Sequence, residues 1–456
     1  MNQSAKSSVT AELARWVVDL VENDVPPEVR RESVRTFVNW LGCAVGGSKH
    51  ESVDAALRVL NPFSGTRSST VIGRTTRLNA LGASLVNGIS SHVLDYDDTH
   101  LKTIIHPAGP VSSALLALAE LRPMSSREFL TAQIIGTEVE CRIGNSVYPD
   151  HYDRGWHITG TAGVFGSAAA CGRAIGLGTR RMQWALGLAA TQSSGIREMF
   201  GTMTKSFHPG AAARNGMMSA LLAEAEFDSS GQGIEARRGW ANVVSDKPDF
   251  DEILGELGTR WESALNSYKP FACGIVIHPA IDGCRKIREE IGADRITRIE
   301  RVEITAAPLV LELTGKTSPG TGLEGKFSVF HAAACALLRG DGSPEAFTDE
   351  AVNDPEVVAM RTRIHVNTSA DIREDSVSIK ICFKDGTGLE KWIDHAVGSR
   401  DNPLTDSQLD EKFLDQARTA LGDDRARVLL AKAWRIGASE SPMAIARASV
   451  PGVKEN

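Results

Sequence analysis

The sequence predicts a mainly α protein: a large all-helical domain, residues 1–265 with 404–456, into which a smaller α+β domain, residues 266–403, is inserted. Three observations carry this. Apolar residues recur at helical spacing through most of the first half of the chain. Alternation with a period of two is confined to RIERVEITA (298–306), SVSIKICF (376–383) and GLEKWID (388–394), the last two joined by the turn pair Asp385-Gly386. Helical spacing then returns after Pro403, so the helical domain is discontinuous in sequence.

The elements follow in order. Leu13, Val17 and Leu20 form one stripe within 9–21, and Val34, Phe37, Val38, Leu41 and Val45 another within 29–45, with Pro26 and Pro27 marking its start. A short strand is expected at 68–74, then helices at 78–89, 110–121 and 126–143, the last with Ser126 and Glu128 in a loose capping pattern. The Ala- and Gly-rich run 166–178 suits a tightly packed central helix. Helices at 183–192 and 211–227 follow, then a loop and helix within 267–287, a helix at 328–339, and two more at 406–421 and 424–434. The chain contains no internal repeat and no low-complexity tract.

Composition narrows the function classes. With 456 residues, 42% hydrophobic and 23% charged, and a net charge of -7, the chain is globular and is not expected to bind nucleic acid. No run reaches the roughly 18 apolar residues of a membrane span. The N-terminal MNQSAKSSVTAELARW has no apolar core of a secretory leader, so a cytoplasmic protein is expected. The 7 cysteines are scattered and unpaired in spacing, as reduced thiols would be. HExxH, CxxC and EF-hand spacings are missing, as are a P-loop and a dinucleotide fingerprint; neither a metal nor another cofactor is expected.

One stretch concentrates the chemistry. SHVLDYDDTHLKTIIHP (91–107) places Asp95, Asp97 and Asp98 among three histidines, a crowding of carboxylates that needs cations, a hydrogen-bond network or a shared proton. His106 precedes Pro107 and a helix start. His157 stands before the Ala/Gly-rich helix, and Lys205 and His208 stand before the helix at 211–227. Helix N-termini carrying imidazole and ammonium groups would together form a cavity for a small polyanion. Such a set suits removal of a proton next to a carboxylate, or its return. Lys205 would neutralise the charge that builds on the carboxylate, His106 and His157 would exchange protons, and Asp95 would face the site. His92, His100 and His208 are assigned structural or orienting roles.

The blocks DYDDTH followed by HP, GWHITGTAG, GTMTKSFHPGAAARNG, YKPFACGIVIHPAIDG, GKFS and PLTDSQLDEKF together resemble the MmgE/PrpD family, in order and over nearly the full length. That family includes 2-methylcitrate dehydratase, cis-aconitate decarboxylase and iminodisuccinate epimerase. The resemblance implies a helical domain with an α+β lid, a homodimer, and metal-independent chemistry on a small di- or tricarboxylate. Carried over by position, it implies a site of Asp95, Thr99, His106, His157, Lys205 and Lys269. Two positions depart: Cys273 stands where the decarboxylase has a catalytic histidine, and His331 where it has a tyrosine. A dehydratase-like lyase is therefore the leading expectation. An epimerase and a decarboxylase are the close alternatives, and a non-catalytic carboxylate-binding dimer is the rival of a different class.

Overall fold

The computed structural model describes residues 8–452. Residues 1–7, the start of the stretch expected to lack a secretory leader, lie outside the described residues. The fold is mainly α, as expected, with small sheets only. Its main helices are α1 (Val9–Asp19), α2 (Pro27–Gly47), α3 (Glu51–Leu60), α4 (Ala80–His92), α5 (Ala108–Leu121), α6 (Ser126–Asn145), α7 (Ile158–Ala174), α8 (Thr179–Gln192) and α9 (Met203–Glu224). After the α+β unit come α12 (Asp406–Leu421), α13 (Asp423–Ala433) and α14 (Pro442–Ala448). Within that unit lie α10 (His278–Ile291) and α11 (Val329–Arg339). Among the described residues no helix is long and apolar enough to cross a membrane.

Local chemistry explains the helix boundaries. Asn79 caps α4 by accepting the Gly82 N–H, and Pro27 opens α2 at the position where a missing N–H costs nothing. The capping box of α6 uses Ser125 with Glu128, one residue earlier than the expected Ser126, and contributes about 1 kcal/mol. Two boundaries move further. The central helix is α7, which ends at Ala174 before Gly176 turns left-handed, so the expected run 166–178 captured only its second half. Helix α9 begins at Met203, eight residues before the expected start, because Thr202 accepts the Thr204 N–H and the helix tolerates Pro209 inside it. The expected strand at 68–74 is a two-residue ladder, β1 (Ser69–Thr70) against β2 (Arg77–Leu78).

Helices α4, α5, α7 and α9 pack on one another, with α6 against α7. Gly88 of α4 and Gly210 of α9 meet backbone to backbone; a Cβ on Gly88 would lie 2.5 Å from the Gly210 Cα. A side chain at either position would separate the two helices that carry Asp95 and Lys205 to the same place. Phe37, Trp40 and Leu41 of α2 share a buried cluster with Leu409 and Phe413 of α12 and with Leu429 of α13. The last helices thus pack back onto the helical unit.

The α+β unit is built on a four-stranded sheet of β3 (Ile299–Ala306), β4 (Ile364–Thr368), β5 (Val377–Phe383) and β6 (Gly388–Ile393), in the order β4-β3-β5-β6. The β3–β4 pair is parallel and the others are antiparallel. Burial alternates along β5, with Val377, Ile379, Ile381 and Phe383 facing a core shared with α10 and α11. β4 was missed because only its first residue, Ile364, is buried, which leaves no alternating signal. Two further short strands, Asp98–His100 and Asn266–Tyr268, pair antiparallel across the chain, Thr99 opposite Ser267. That pairing brings the acidic stretch against the start of the α+β unit.

Candidate active site

The crowded aspartates are buried, and each has a distinct environment. Asp95 accepts from Lys205 Nζ at 2.7 Å and from Lys269 Nζ at 2.9 Å, both on Oδ1. Burial pushes its carboxyl up, but the two ammonium groups outweigh burial and hold it well below the usual range. Its Oδ2 has no hydrogen-bond partner among the described residues, and its φ is +50°. A non-glycine residue in that conformation marks a backbone held by its surroundings. Asp97 accepts from His92 Nδ1 at 2.7 Å. Asp98 accepts the Ala108 N–H at the start of α5 and the Asn266 amide; burial, with Asp97 beside it, pushes its carboxyl up to about 7. The stretch therefore tolerates three carboxylates by different means: cation pairing at Asp95, the His92 hydrogen bond at Asp97, and a carboxyl raised toward its neutral form at Asp98.

The imidazoles converge from different elements. His106 Nδ1 lies 2.7 Å from the Asp98 carbonyl oxygen, which can only accept, so this ring carries its proton on Nδ1 and presents a lone pair at Nε2. Thr99 Oγ1 stands 3.3 Å from the same nitrogen. His157 is the N-cap residue of α7, and its Nδ1 is 2.8 Å from Nδ1 of His208, so one of these rings donates to the other. Burial holds both His106 and His157 well below the ordinary imidazole range, leaving them neutral near pH 7. Burial likewise lowers Lys205, against the pull of Asp95. Phe200 and Phe327 flank the Lys205 ammonium at 5.3 and 5.2 Å from their ring centroids, which keeps water from its sides.

Asp95, His106, His157, Lys205 and Lys269 line one chamber of about 30 Å³ of water-accessible space, closed by Ile104, Tyr152, Phe200, Ile275, Leu313 and Phe327 among others. The structure brings these five expected residues together. Thr99 stands behind His106. Two expectations are corrected. Cys273 is buried in the apolar core of the α+β unit, and the wall position at this turn belongs to Gly274. His331 falls in the first turn of α11, where its Nε2 donates to the Ala346 carbonyl at 2.7 Å and its ring packs on Phe347. Its hydrogen bonding is spent inside that core, and it does not line the chamber.

The sequence also left residues unassigned. Lys326, in the GKFS block, borders the Asp95–Lys205 pair and donates to the carbonyls of Leu94 and Ala272. Phe200, Thr314 and Leu313 are wall residues with no local signal. His100, in contrast, is the expected structural histidine: it bridges Thr103 and Glu262. His92, His106 and His157 each bring a ring nitrogen within 4.8 Å of the others, a spacing that could hold a divalent ion. Two lysine ammonium groups at the same chamber oppose a cation there and favour an anion.

The fold and the chamber define a class: a mainly α protein with a smaller α+β unit, holding paired lysines, a carboxylate and neutral imidazoles in the seam between them. The chain belongs to the MmgE/PrpD family: the family's N-terminal domain model matches residues 11–253 and its C-terminal domain model residues 271–436. It is similar to the cis-aconitate decarboxylase of Aspergillus terreus, 25% identical with 94% of this chain and 92% of that protein covered. It is also similar to the cis-aconitate decarboxylase-like protein oryM of Aspergillus oryzae, 25% identical with 93% of each covered. The human cis-aconitate decarboxylase is 26% identical, with 93% of this chain and 90% of that protein covered.

Proposed function

We propose that this protein is a lyase that moves a proton at the carbon next to a carboxylate of a small di- or tricarboxylate. The observation that carries this is the pair Lys205 and Lys269 on a single oxygen of Asp95, beside a neutral His106 whose Nε2 lone pair is available. Two ammonium groups and one carboxylate leave an excess positive charge, which a substrate carboxylate would neutralise. A carbon acid next to a carboxylate is weak, and cations fixed beforehand lower its barrier most where charge accumulates. His106 would take the proton and, as the imidazolium so formed, would give it to a leaving hydroxyl or back to carbon, while His157, held by His208, would orient the substrate beside it.

Two outcomes of that proton transfer fit the same groups. Loss of water, as in a 2-methylcitrate dehydratase, uses a base and then an acid, and His106 can be both in turn, taking the proton from carbon and passing it to the departing hydroxyl. Loss of carbon dioxide is favoured by the relatives, which are named as cis-aconitate decarboxylases. Incubation of the enzyme with 2-methylcitrate, citrate and cis-aconitate, followed by mass analysis, separates the two. Deuterated water tests the third reading, an epimerase, which would exchange the α-hydrogen without forming an alkene. If no compound of this class is bound or converted, the proposal fails. A homodimer belongs to the same proposal and is checked by light scattering.

A further inference from the structure

The chamber adjoins a second and larger hollow. That cavity has about 280 Å³ of water-accessible space against about 30 Å³ in the chamber, and it lies between the loop after His100 and the α+β unit. Its lining is largely apolar, with Leu101, Pro279, Ala396 and Val397 among its residues. Ile104, Ile275 and Val276 line both spaces, so three aliphatic side chains form the partition. Ile104 has φ +60°, a conformation that β-branched residues rarely adopt. Strain of this kind is concentrated at ligand clamps and moving segments.

The two spaces differ in charge. The chamber presents Lys205 and Lys269, whereas the charged lining of the cavity is mixed, Glu374 and Asp375 with Arg400, and Asp375 is already paired with Arg373 and His395. A carboxylate is drawn to the first, and the second offers a mainly apolar surface instead. The chamber alone has room for about two water molecules, so a polycarboxylate needs space beyond it, and the partition residues open onto the larger hollow.

We propose that the cavity is a binding site for an uncharged alkyl substituent of the substrate, whose carboxylates are held by Lys205 and Lys269 while the alkyl arm passes between Ile104, Ile275 and Val276. The preferred substrates are then amphiphilic, alkyl-bearing polycarboxylates. The inference rests on the proposed carboxylate chemistry and adds the specificity of the same site.

Calorimetric titration of the full chain with propane-1,2,3-tricarboxylate and with its butyl-substituted counterpart tests it. Burial of a methylene is worth about fourfold in affinity, so the butyl compound should bind at least roughly 30-fold more tightly. Val397→Trp, at a position that lines the cavity and not the chamber, should reduce that ratio to about threefold or less. Ala396→Leu provides the same readout if the tryptophan variant loses its melting transition. Equal affinity of the two compounds for the unmodified chain overturns the alkyl site, as does a filled variant that weakens both compounds alike, since the cavity would then be only a passage. If neither compound binds the unmodified chain, the carboxylate reading itself fails, and the alkyl site with it.

Discussion

Lys205 and Lys269 share one oxygen of Asp95, at 2.7 and 2.9 Å, although one lysine lies 110 positions and the other 174 positions away from it in sequence. One lysine comes from the first turn of α9 and the other from the segment that follows the short strand at 266–268. The carboxylate therefore ties the helical unit to the α+β unit at the point where substrate chemistry is proposed. Removing one ammonium group of this triad should differ in effect from removing its carboxylate.

Lys205→Ala should abolish turnover while leaving the fold intact. Asp95 keeps Lys269 as partner, so no buried charge is left alone. Loss of a group that stabilises developing charge costs about 100- to 1000-fold in rate. Steady-state kinetics beside a thermal melt checks this, and unchanged activity in the variant would refute the assignment.

Asp95→Asn should instead destabilise the protein. Asparagine tolerates the positive φ, so the backbone is not the reason. Two buried ammonium groups would remain without their carboxylate, a situation that costs about 3–5 kcal/mol. Urea unfolding of the purified variant gives the number; a change below about 1 kcal/mol would mean that the triad contributes little to folding.

His106→Asn preserves a donor toward the Asp98 carbonyl but removes the Nε2 lone pair. The expected result is a fall of at least about 100-fold in kcat with a nearly unchanged melting temperature. His157→Gln should show a loss of similar size. If either variant retains full kcat, its imidazole is a packing group.

Acid should unfold the protein through its buried imidazoles. Burial lowers His151 to about 3, with its Nε2 bonded to Thr161, and lowers His278 to about 3. Below the ordinary imidazole pKa of about 6.5 the unfolded chain binds protons that the folded chain refuses. Stability is therefore fully present above about pH 6.5 and declines as the pH falls toward 3, by about 1.4 kcal/mol per pH unit for each such group. His151→Gln should make this slope shallower by one proton's share, measured by urea unfolding between pH 7 and pH 5.

Local signals explain what could be read without coordinates. The stripe in α2, the alternation in β3 and β5 and the limits of α12 agree with the structure to within two residues, because periodicity and capping act over a few positions. Failures occurred where a non-local partner decides. Helix α9 runs through Pro209 because α4 and α5 pack around it, with Gly109 close against the proline ring. The strand at 98–100 exists only because residues 266–268 arrive beside it. Cys273 and Gly274 are neighbours in sequence, yet packing buries one and turns the other to the wall.

The sequence by itself determined the mainly α class and the family, and its motifs contain the five residues that the structure places around the chamber. Residue type, spacing and motif order are properties of the chain alone. Only the tertiary structure decided which oxygen two distant lysines share, which nitrogen of His106 is left unpaired, and that an apolar hollow lies beyond Ile104. Those depend on side chains meeting across units, and no local rule fixes such distances.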